Sequence, residues 1–221
     1  MTIVTAHSGA EGTAPNSYEF LKMAAAAECE AFEVDVRIHA GEPYISHGMK
    51  LFGVKKCPNL YDVFSVAKES GKSVNCDLKE GLGSLRALNR IAEEVNAVDN
   101  LIFTGNYKSR FYNDLKFGQV FLNGVAIAKE YGLKMTAENL PVIKKLIEDA
   151  HNPNIVGLNF NYSYFNENLA VEADRLGLKL SVFTVQDETV YRELLRCGVY
   201  NITTLTPSAV IAARNELLKQ N

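Results

Sequence analysis

The stretch Ala31-Phe32-Glu33-Val34-Asp35-Val36-Arg37 reads as a β-strand, and Glu33 and Asp35, two residues apart, point to one face of it. Asp77 and Lys79 have the same spacing where a further strand, near 73–77, ends. His7 closes an earlier strand near 2–6. His47 ends a short hairpin that turns at Ala40-Gly41 and returns through Glu42-Pro43-Tyr44-Ile45-Ser46. Two histidines and three carboxylates are thus delivered by successive strands.

Outward from this stretch, strand-like and helix-like segments alternate to both ends of the chain. Strands are predicted near 2–6, 31–37, 73–77, 99–104, 118–122, 154–160, 179–185 and 199–204. Helices are predicted near 17–29, 60–70, 83–96, 108–114, 124–131, 137–150, 165–176, 187–197 and 207–219. Punctuation supports them. Asn16 with Glu19 fits a capping box, Thr136 precedes a helix with Glu138 in its first turn, and Pro207 follows Thr206 at a first helical position. Gly71, Gly132, Gly177 and Gly198 fall where helices should stop.

Eight strands alternating with helices over 221 residues predict an α/β fold, a (β/α)8 TIM barrel forming a single domain over 1–221. Its active site would lie at the C-terminal ends of the strands, where His7, Glu33, Asp35 and Asp77 converge and the hairpin brings His47 over the same mouth. An open doubly wound sheet is the alternative, but no Gly-x-Gly-x-x-Gly follows the first strand.

The chain is 47% hydrophobic and 22% charged with a formal net charge of −3, which argues against broad binding to nucleic acid or anionic membrane. No apolar run approaches a membrane span, so stable insertion is not expected, and the N-terminus reads as a first strand rather than a signal peptide. Cys29, Cys57, Cys76 and Cys197 lack metal-type spacing and read as small buried or half-buried residues, in keeping with a cytoplasmic location. The oligomeric state is left open.

Three carboxylates at one mouth repel each other and resist desolvation, and a divalent cation removes both problems. All-oxygen ligation by Glu33, Asp35 and Asp77 favours Mg²⁺, Ca²⁺ or Mn²⁺ over zinc. Such an ion polarises a phosphoryl oxygen; His7 and His47 suit general acid and base roles, and Lys79 suits a phosphate. Plainer roles stay open for each residue alone. Glu33 and Asp35 fit a structural ion-pair layer, His7 a hydrogen-bonded scaffold residue, His47 an exposed hairpin residue, and Asp77 and Lys79 an internal salt bridge. A glycosidase-type carboxylate pair is disfavoured because Glu33 and Asp35 share one strand. His39 and His151 read as surface residues, and Tyr107, Tyr162 and Tyr164 as packing aromatics.

In their order along the chain these motifs resemble the glycerophosphodiester phosphodiesterase family. The matching segments are His7-Ser8-Gly9, Ala14-Pro15-Asn16-Ser17, Glu33-Val34-Asp35, His47-Gly48 and Asp77-Leu78-Lys79. Near the C-terminus, Ser181-Val182-Phe183-Thr184-Val185-Gln186 and Gly198-Val199-Tyr200-Asn201-Ile202-Thr203-Thr204, followed by Pro207, continue the likeness. The resemblance implies a barrel that binds one divalent ion, usually Mg²⁺ or Ca²⁺, through Glu33, Asp35 and Asp77. It implies hydrolysis of a small glycerophosphodiester to glycerol 3-phosphate and an alcohol, with His7 and His47 as the acid/base pair and Lys79, Ser8 and Phe183 toward the substrate. The chain departs from the family pattern in four places. Ser8 stands for a phosphate-clamping arginine, the glutamate after Pro15 is missing, Gly48 replaces an aspartate, and Asp77 replaces a glutamate. The family's cap is reduced to a segment within 40–58, whose Lys50, Lys55 and Lys56 read as solvated. These departures motivate the alternative, a non-catalytic or weakly active barrel that binds a phosphorylated small molecule.

Overall fold

Alternation decides where each strand residue goes. In the computed structural model, which describes residues 1–48, 57–79, 81 and 83–220, the strands are β1 (Ile3–Ala6), β2 (Ala31–His39), β3 (Glu42–Ile45), β4 (Ser73–Leu78), β5 (Leu101–Gly105), β6 (Gln119–Asn123), β7 (Ile155–Asn161), β8 (Lys179–Val185) and β9 (Asn201–Thr204). All but β3 are parallel and run in the order β1-β9-β8-β7-β6-β5-β4-β2, and pairing of β1 with β2 closes the ring. The (β/α)8 barrel predicted from the sequence is the fold. The hairpin strand β3 lies antiparallel on the far end of β2, joined through left-handed Ala40 (φ 51°) and Gly41 (φ 84°). Lys50, Lys55 and Lys56 of the expected cap lie outside the described residues.

One face of every strand packs outward. Val4, Phe32, Val34, Val74, Leu78, Phe103, Val120, Phe160 and Val182 form a continuous core with Phe20, Phe64, Leu88 and Ile143 of the surrounding helices. Each such fully buried side chain contributes roughly 1.5–3 kcal/mol. These helices are α1 (Tyr18–Ala26), α2 (Leu60–Ser70), α3 (Arg86–Glu94), α4 (Gly124–Glu130), α5 (Leu140–Asp149), α6 (Glu167–Arg175), α7 (Glu188–Arg196) and α8 (Pro207–Leu218). Cys76 belongs to this core, where burial, with Glu33 and Asp77 nearby, pushes its thiol far up and keeps it inert. No helix among the described residues is long and apolar enough to cross a membrane.

The inward face is layered. Ala31, Ile102 and Phe121, with Ile3, Val156 and Tyr200, plug the barrel at the strand starts. Above them the lining turns polar. The Thr5 hydroxyl donates to Asn201 Oδ1 at 2.7 Å, Asn201 Nδ2 donates to Ser181 Oγ at 2.8 Å, and the Thr104 hydroxyl donates to Asn75 Oδ1 at 3.0 Å. Polar side chains replace the usual branched aliphatic layers here, and the mouth opens directly above them.

Three local expectations are corrected. The cap of α1 is Ser17, whose Oγ accepts the Phe20 N–H at 3.1 Å, because Asn16 is drawn inward toward β2 instead. The segment near 108–114 is a 3-10 helix, Ser109–Asp114, so the β5-to-β6 connection carries no α-helix. The helix near 137–150 begins as a 3-10 turn, Ala137–Asn139, before α5. The four predicted helix-stop glycines all adopt positive φ, between 66° and 69°.

Candidate functional site

Strand register brings the carboxylates together. Asp35 of β2 is level with Asp77 of β4, and Asp77 is level with Thr104 of β5. Since all three point inward, the two aspartates become neighbours across one strand spacing, with Glu33 one layer below. Gly105 makes room for them. Its φ is +110°, and a Cβ there would lie 2.2 Å from the Leu78 carbonyl oxygen and 2.6 Å from Asp77 Oδ1.

Each group is held differently. Glu33 is buried and its Oε2 accepts the Ser8 N–H at 2.8 Å. Burial, reinforced by the charges of Asp35 and Asp77, pushes the Glu33 carboxyl well above the ordinary carboxylate range, against the smaller pull of the Ser8 N–H and Lys79. Asp35 is clasped by Asn16, whose Nδ2 donates to Asp35 Oδ2 at 2.7 Å and whose Oδ1 accepts the Asp35 N–H at 3.0 Å. Asn16 holds this pose with a left-handed φ of 53°, a conformation asparagine tolerates.

Lys79 joins the two aspartates. Its Nζ lies 2.6 Å from Asp35 Oδ1 and pairs with Asp77 Oδ2. Burial alone would lower the ammonium, but Asp77 and Asp35 outweigh it and hold the group above the ordinary lysine range. The internal salt bridge that the sequence left open for Asp77 and Lys79 is therefore present. Asp35 Oδ1 still receives no aligned hydrogen bond although it is buried.

His7 follows β1. Its N–H donates to the Thr204 carbonyl at 2.8 Å, and its ring Nδ1 lies 2.8 Å from the Ser8 carbonyl oxygen. A carbonyl only accepts, so this contact places a proton on Nδ1 and, in the neutral ring, leaves the lone pair on Nε2. Nε2 faces Glu33 Oε2 at 3.9 Å. His47 is exposed and borders the same cleft, its carbonyl accepting from Arg37 Nη2 at 2.9 Å and Nε at 3.3 Å.

The cleft encloses about 330 Å³. His7, Glu33, His47, Asp77, Lys79 and Phe183 line it, whereas Asp35 is buried and is not part of its lining. Nor is Ser8. It is buried beneath the loop, with its Oγ accepting the Asn16 N–H at 2.7 Å, so it braces the Glu33 and Asp35 supports rather than facing a ligand. Tyr107 packs edge-on against Phe111 at 5.5 Å as expected, whereas Tyr162 and Tyr164 are exposed, as are His39 and His151. Sequence reasoning missed the clasp by Asn16, the presence of Arg37 in the cleft, and a wall of carboxamides from Asn106, Asn123 and Asn159. The inward parity of Asn123 and Asn159 on their strands was the signal available. A larger groove of about 980 Å³ lies at the strand-start end, but among the described residues it gathers no carboxylate cluster of this kind.

Glu33, Asp35 and Asp77 each offer an oxygen, and these oxygens lie within 4.8 Å of one another. Two metal–oxygen bonds of a hard divalent cation span at most roughly 4–5 Å, so the donor set can hold one metal ion.

No protein-family model and no curated protein sequence matches the chain. Its structure is similar to solved structures of glycerophosphodiester phosphodiesterases. One from Parabacteroides distasonis superposes with a TM-score of 0.77 at 17% identity, covering 98% of each chain. One from Thermotoga maritima gives 0.65 at 20% identity, covering 100% of this chain and 98% of the other. A phosphodiesterase from Oleispira antarctica, in complex with the product sn-glycerol-3-phosphate, gives 0.67 at 19% identity over 97% of each. At such identities the likeness establishes the fold.

Proposed function

We propose that this barrel is a metal-dependent phosphodiesterase that hydrolyses a glycerophosphodiester to glycerol 3-phosphate and an alcohol. The observation that carries the reading is the convergence of three carboxylate oxygens within 4.8 Å at the mouth that also holds His7 and His47. Glu33, Asp35 and Asp77 hold the divalent cation, which when bound supplies positive charge to a phosphoryl oxygen.

The residues divide the remaining work. His7, its tautomer fixed by the Ser8 carbonyl, takes through Nε2 the proton of the attacking hydroxyl, from water or from the substrate's glycerol. The new O–P bond forms as the P–O bond to the alcohol breaks, and His47 donates a proton to the departing oxygen; where the glycerol hydroxyl attacks, the product is a cyclic phosphate, which water then opens to glycerol 3-phosphate. Lys79 is held between Asp35 and Asp77; displaced from there, it offers its charge to a phosphate oxygen. Arg37 at the same cleft adds positive charge on a side chain suited to phosphate, where Ser8 cannot. The four cysteines are free, which suits a reducing compartment, so the reading is of a protein acting on small phosphodiesters in the cytoplasm.

A second reading is favoured by Lys79 itself. Its ammonium already neutralises Asp35 and Asp77, so the barrel would bind a phosphorylated small molecule without metal or turnover. One experiment separates the two: release of glycerol 3-phosphate from a panel of glycerophosphodiesters, with Mg²⁺, Ca²⁺ or Mn²⁺ and with chelator. Metal-dependent release supports the enzyme. Ligand-induced thermal stabilisation without metal binding or turnover on any diester would leave the binding module.

A further inference from the structure

The loop from His7 to Asn16 joins β1 to α1 between two anchors. At its far end Asn16 clasps Asp35 of β2. At its near end it is fastened to the junction of β9 and α8. The His7 N–H donates to the Thr204 carbonyl at 2.8 Å, and the Glu11 N–H donates to the Leu205 carbonyl at 2.9 Å. The Glu11 side chain adds a further tie. Its Oε1 accepts the Ser208 N–H at 3.1 Å and the Ser208 hydroxyl at 2.6 Å.

This tie is a helix cap supplied from outside the helix. Pro207, the first residue of α8, has no N–H, so Ser208 offers the first free donor of that helix. Thr206, in the capping position, does not take it. Its backbone N–H and its hydroxyl are turned to Thr204 Oγ1, at 3.0 Å and 3.3 Å. The positive end of the α8 dipole favours a carboxylate there.

Glu11 holds this position in an unfavourable backbone conformation. Its φ is 53° and its ψ 31°, in the left-handed region that the nearby Gly9 and Gly12 enter freely and a glutamate does not. Such a backbone persists where surrounding contacts over-determine it. Glu11 is exposed, so no core packing demands it, and its bonds to Leu205 and Ser208 are what hold it. Between the two anchors sits Ser8, whose carbonyl contacts His7 Nδ1 and whose N–H donates to Glu33.

We infer that Glu11 is a positioning residue for His7: by bridging the strained loop to the start of α8, it holds the Ser8 carbonyl where His7 Nδ1 meets it, and so keeps Nε2 as the nitrogen that takes a proton. The consequence for turnover rests on the phosphodiesterase reading, whereas the tautomer of His7 does not.

Nitrogen-15 NMR of the imidazole rings in the full chain, at a pH where they are neutral, reads the tautomer directly, with His7→Ala to assign the signal. In the wild type His7 should be protonated on Nδ1 alone. Glu11→Gly relieves the backbone and removes the carboxylate. It should mix the two tautomers and lower kcat for a glycerophosphodiester by about tenfold or more with KM little changed. Glu11→Gln keeps an oxygen for Ser208 to donate to, so it should lie between the wild type and the glycine variant in both readings. A cap that serves α8 alone would lower the thermal midpoint of Glu11→Gly while leaving the His7 signals as in the wild type, and that result overturns the inference. Mixed tautomers in the wild type overturn it as well. If Glu11→Gly does not fold, Ser208→Ala, which removes the shorter bond at an exposed position, makes the same comparison with a smaller shift. If no diester is turned over, the phosphodiesterase reading fails separately and the tautomer spectra decide alone.

Discussion

The two halves of the cleft solve opposite problems. The half built by β1, β2 and β4 concentrates charge: Asp35 and Asp77 side by side in register, Glu33 below them, and Lys79 drawn between. The half built by β5, β6 and β7 carries amides with no charge at all. Like charges held this close are unfavourable, so every member of the first half is tied down, Glu33 by Ser8, Asp35 by Asn16 and Asp77 by Lys79. The amides repel nothing, so the Asn159 carboxamide opens to the cleft with no partner among the described residues. Chemistry is built where the fold must restrain its groups, and recognition where it need not.

This contrast is most exposed to failure at His7. His7→Ala should lower turnover of a glycerophosphodiester by about 10²–10⁴, the range for a general base, while Asn106→Ala on the amide half should cost less than about tenfold. Equal losses, read as glycerol 3-phosphate released at saturating substrate, would erase the division of labour. The next largest effect lies behind the carboxylates. Asn16→Ala removes both bonds that orient Asp35. It should weaken Mg²⁺ binding by about 10–100-fold and lower stability by about 2 kcal/mol. Asn16→Gly relieves the left-handed backbone but not the lost bonds, so its metal affinity should stay low in calorimetry. Recovery of affinity in the glycine variant would mean that backbone strain, not the clasp, positions Asp35.

The difference between the halves also governs what the sequence revealed. Glu33, Asp35 and Asp77 were legible because strand parity and βα rhythm fix both their face and their end of the barrel, and His7 because it directly follows the first strand. Asn16 was misread as a helix cap because its local pattern with Glu19 is a valid capping signal. Only the long-range approach of β2 reassigns it, and Ser17 then takes the cap. Lys79 was placed on the right face, but its capture by two aspartates depends on the register between β2 and β4, which spacing along one strand does not contain. The 3-10 helix at Ser109–Asp114 has the apolar spacing of an α-helix over too few residues to distinguish them. The amides of β6 and β7 had the right parity, yet asparagine in a strand carries no chemistry that marks it until its neighbours are known.

Lys79 sharpens the comparison from inside the charged half. If its ammonium holds the place of a cation, Lys79→Met should tighten Mg²⁺ binding on the order of tenfold, because a competing positive charge at 2.6 Å from Asp35 is gone. Turnover should fall at the same time, since the charge facing the phosphate is lost. Calorimetry and the release assay read these separately. Unchanged or weaker metal binding in Lys79→Met would show that the lysine belongs to the coordination site as a support and not as a substitute.

The smallest effect is a slope. The folded protein keeps a proton on Glu33 at pH values where an unfolded glutamate, titrating near about 4.3, has lost it. The native state thus binds more protons than the unfolded state in the window above that value, and stability of the metal-free protein falls as pH rises through it. One proton sets a ceiling of about 1.4 kcal/mol per pH unit on this contribution. Glu33→Gln removes the titrating group and the repulsion it exerts on Asp35 and Asp77, so in chelator the variant should gain on the wild type as pH is raised from about 4.5 toward 8. Other carboxylates largely cancel in the difference between the two thermal-denaturation curves. Added Mg²⁺ should then reverse the order by stabilising only the protein that retains Glu33, and binding should release a proton in calorimetry as the Glu33 carboxyl ionises. Parallel pH curves would mean that Glu33 is already charged in the folded, metal-free barrel and that Lys79 alone balances the cluster. The same pair of curves for Asn159→Ala should differ by a constant, because the amide half contains nothing that titrates.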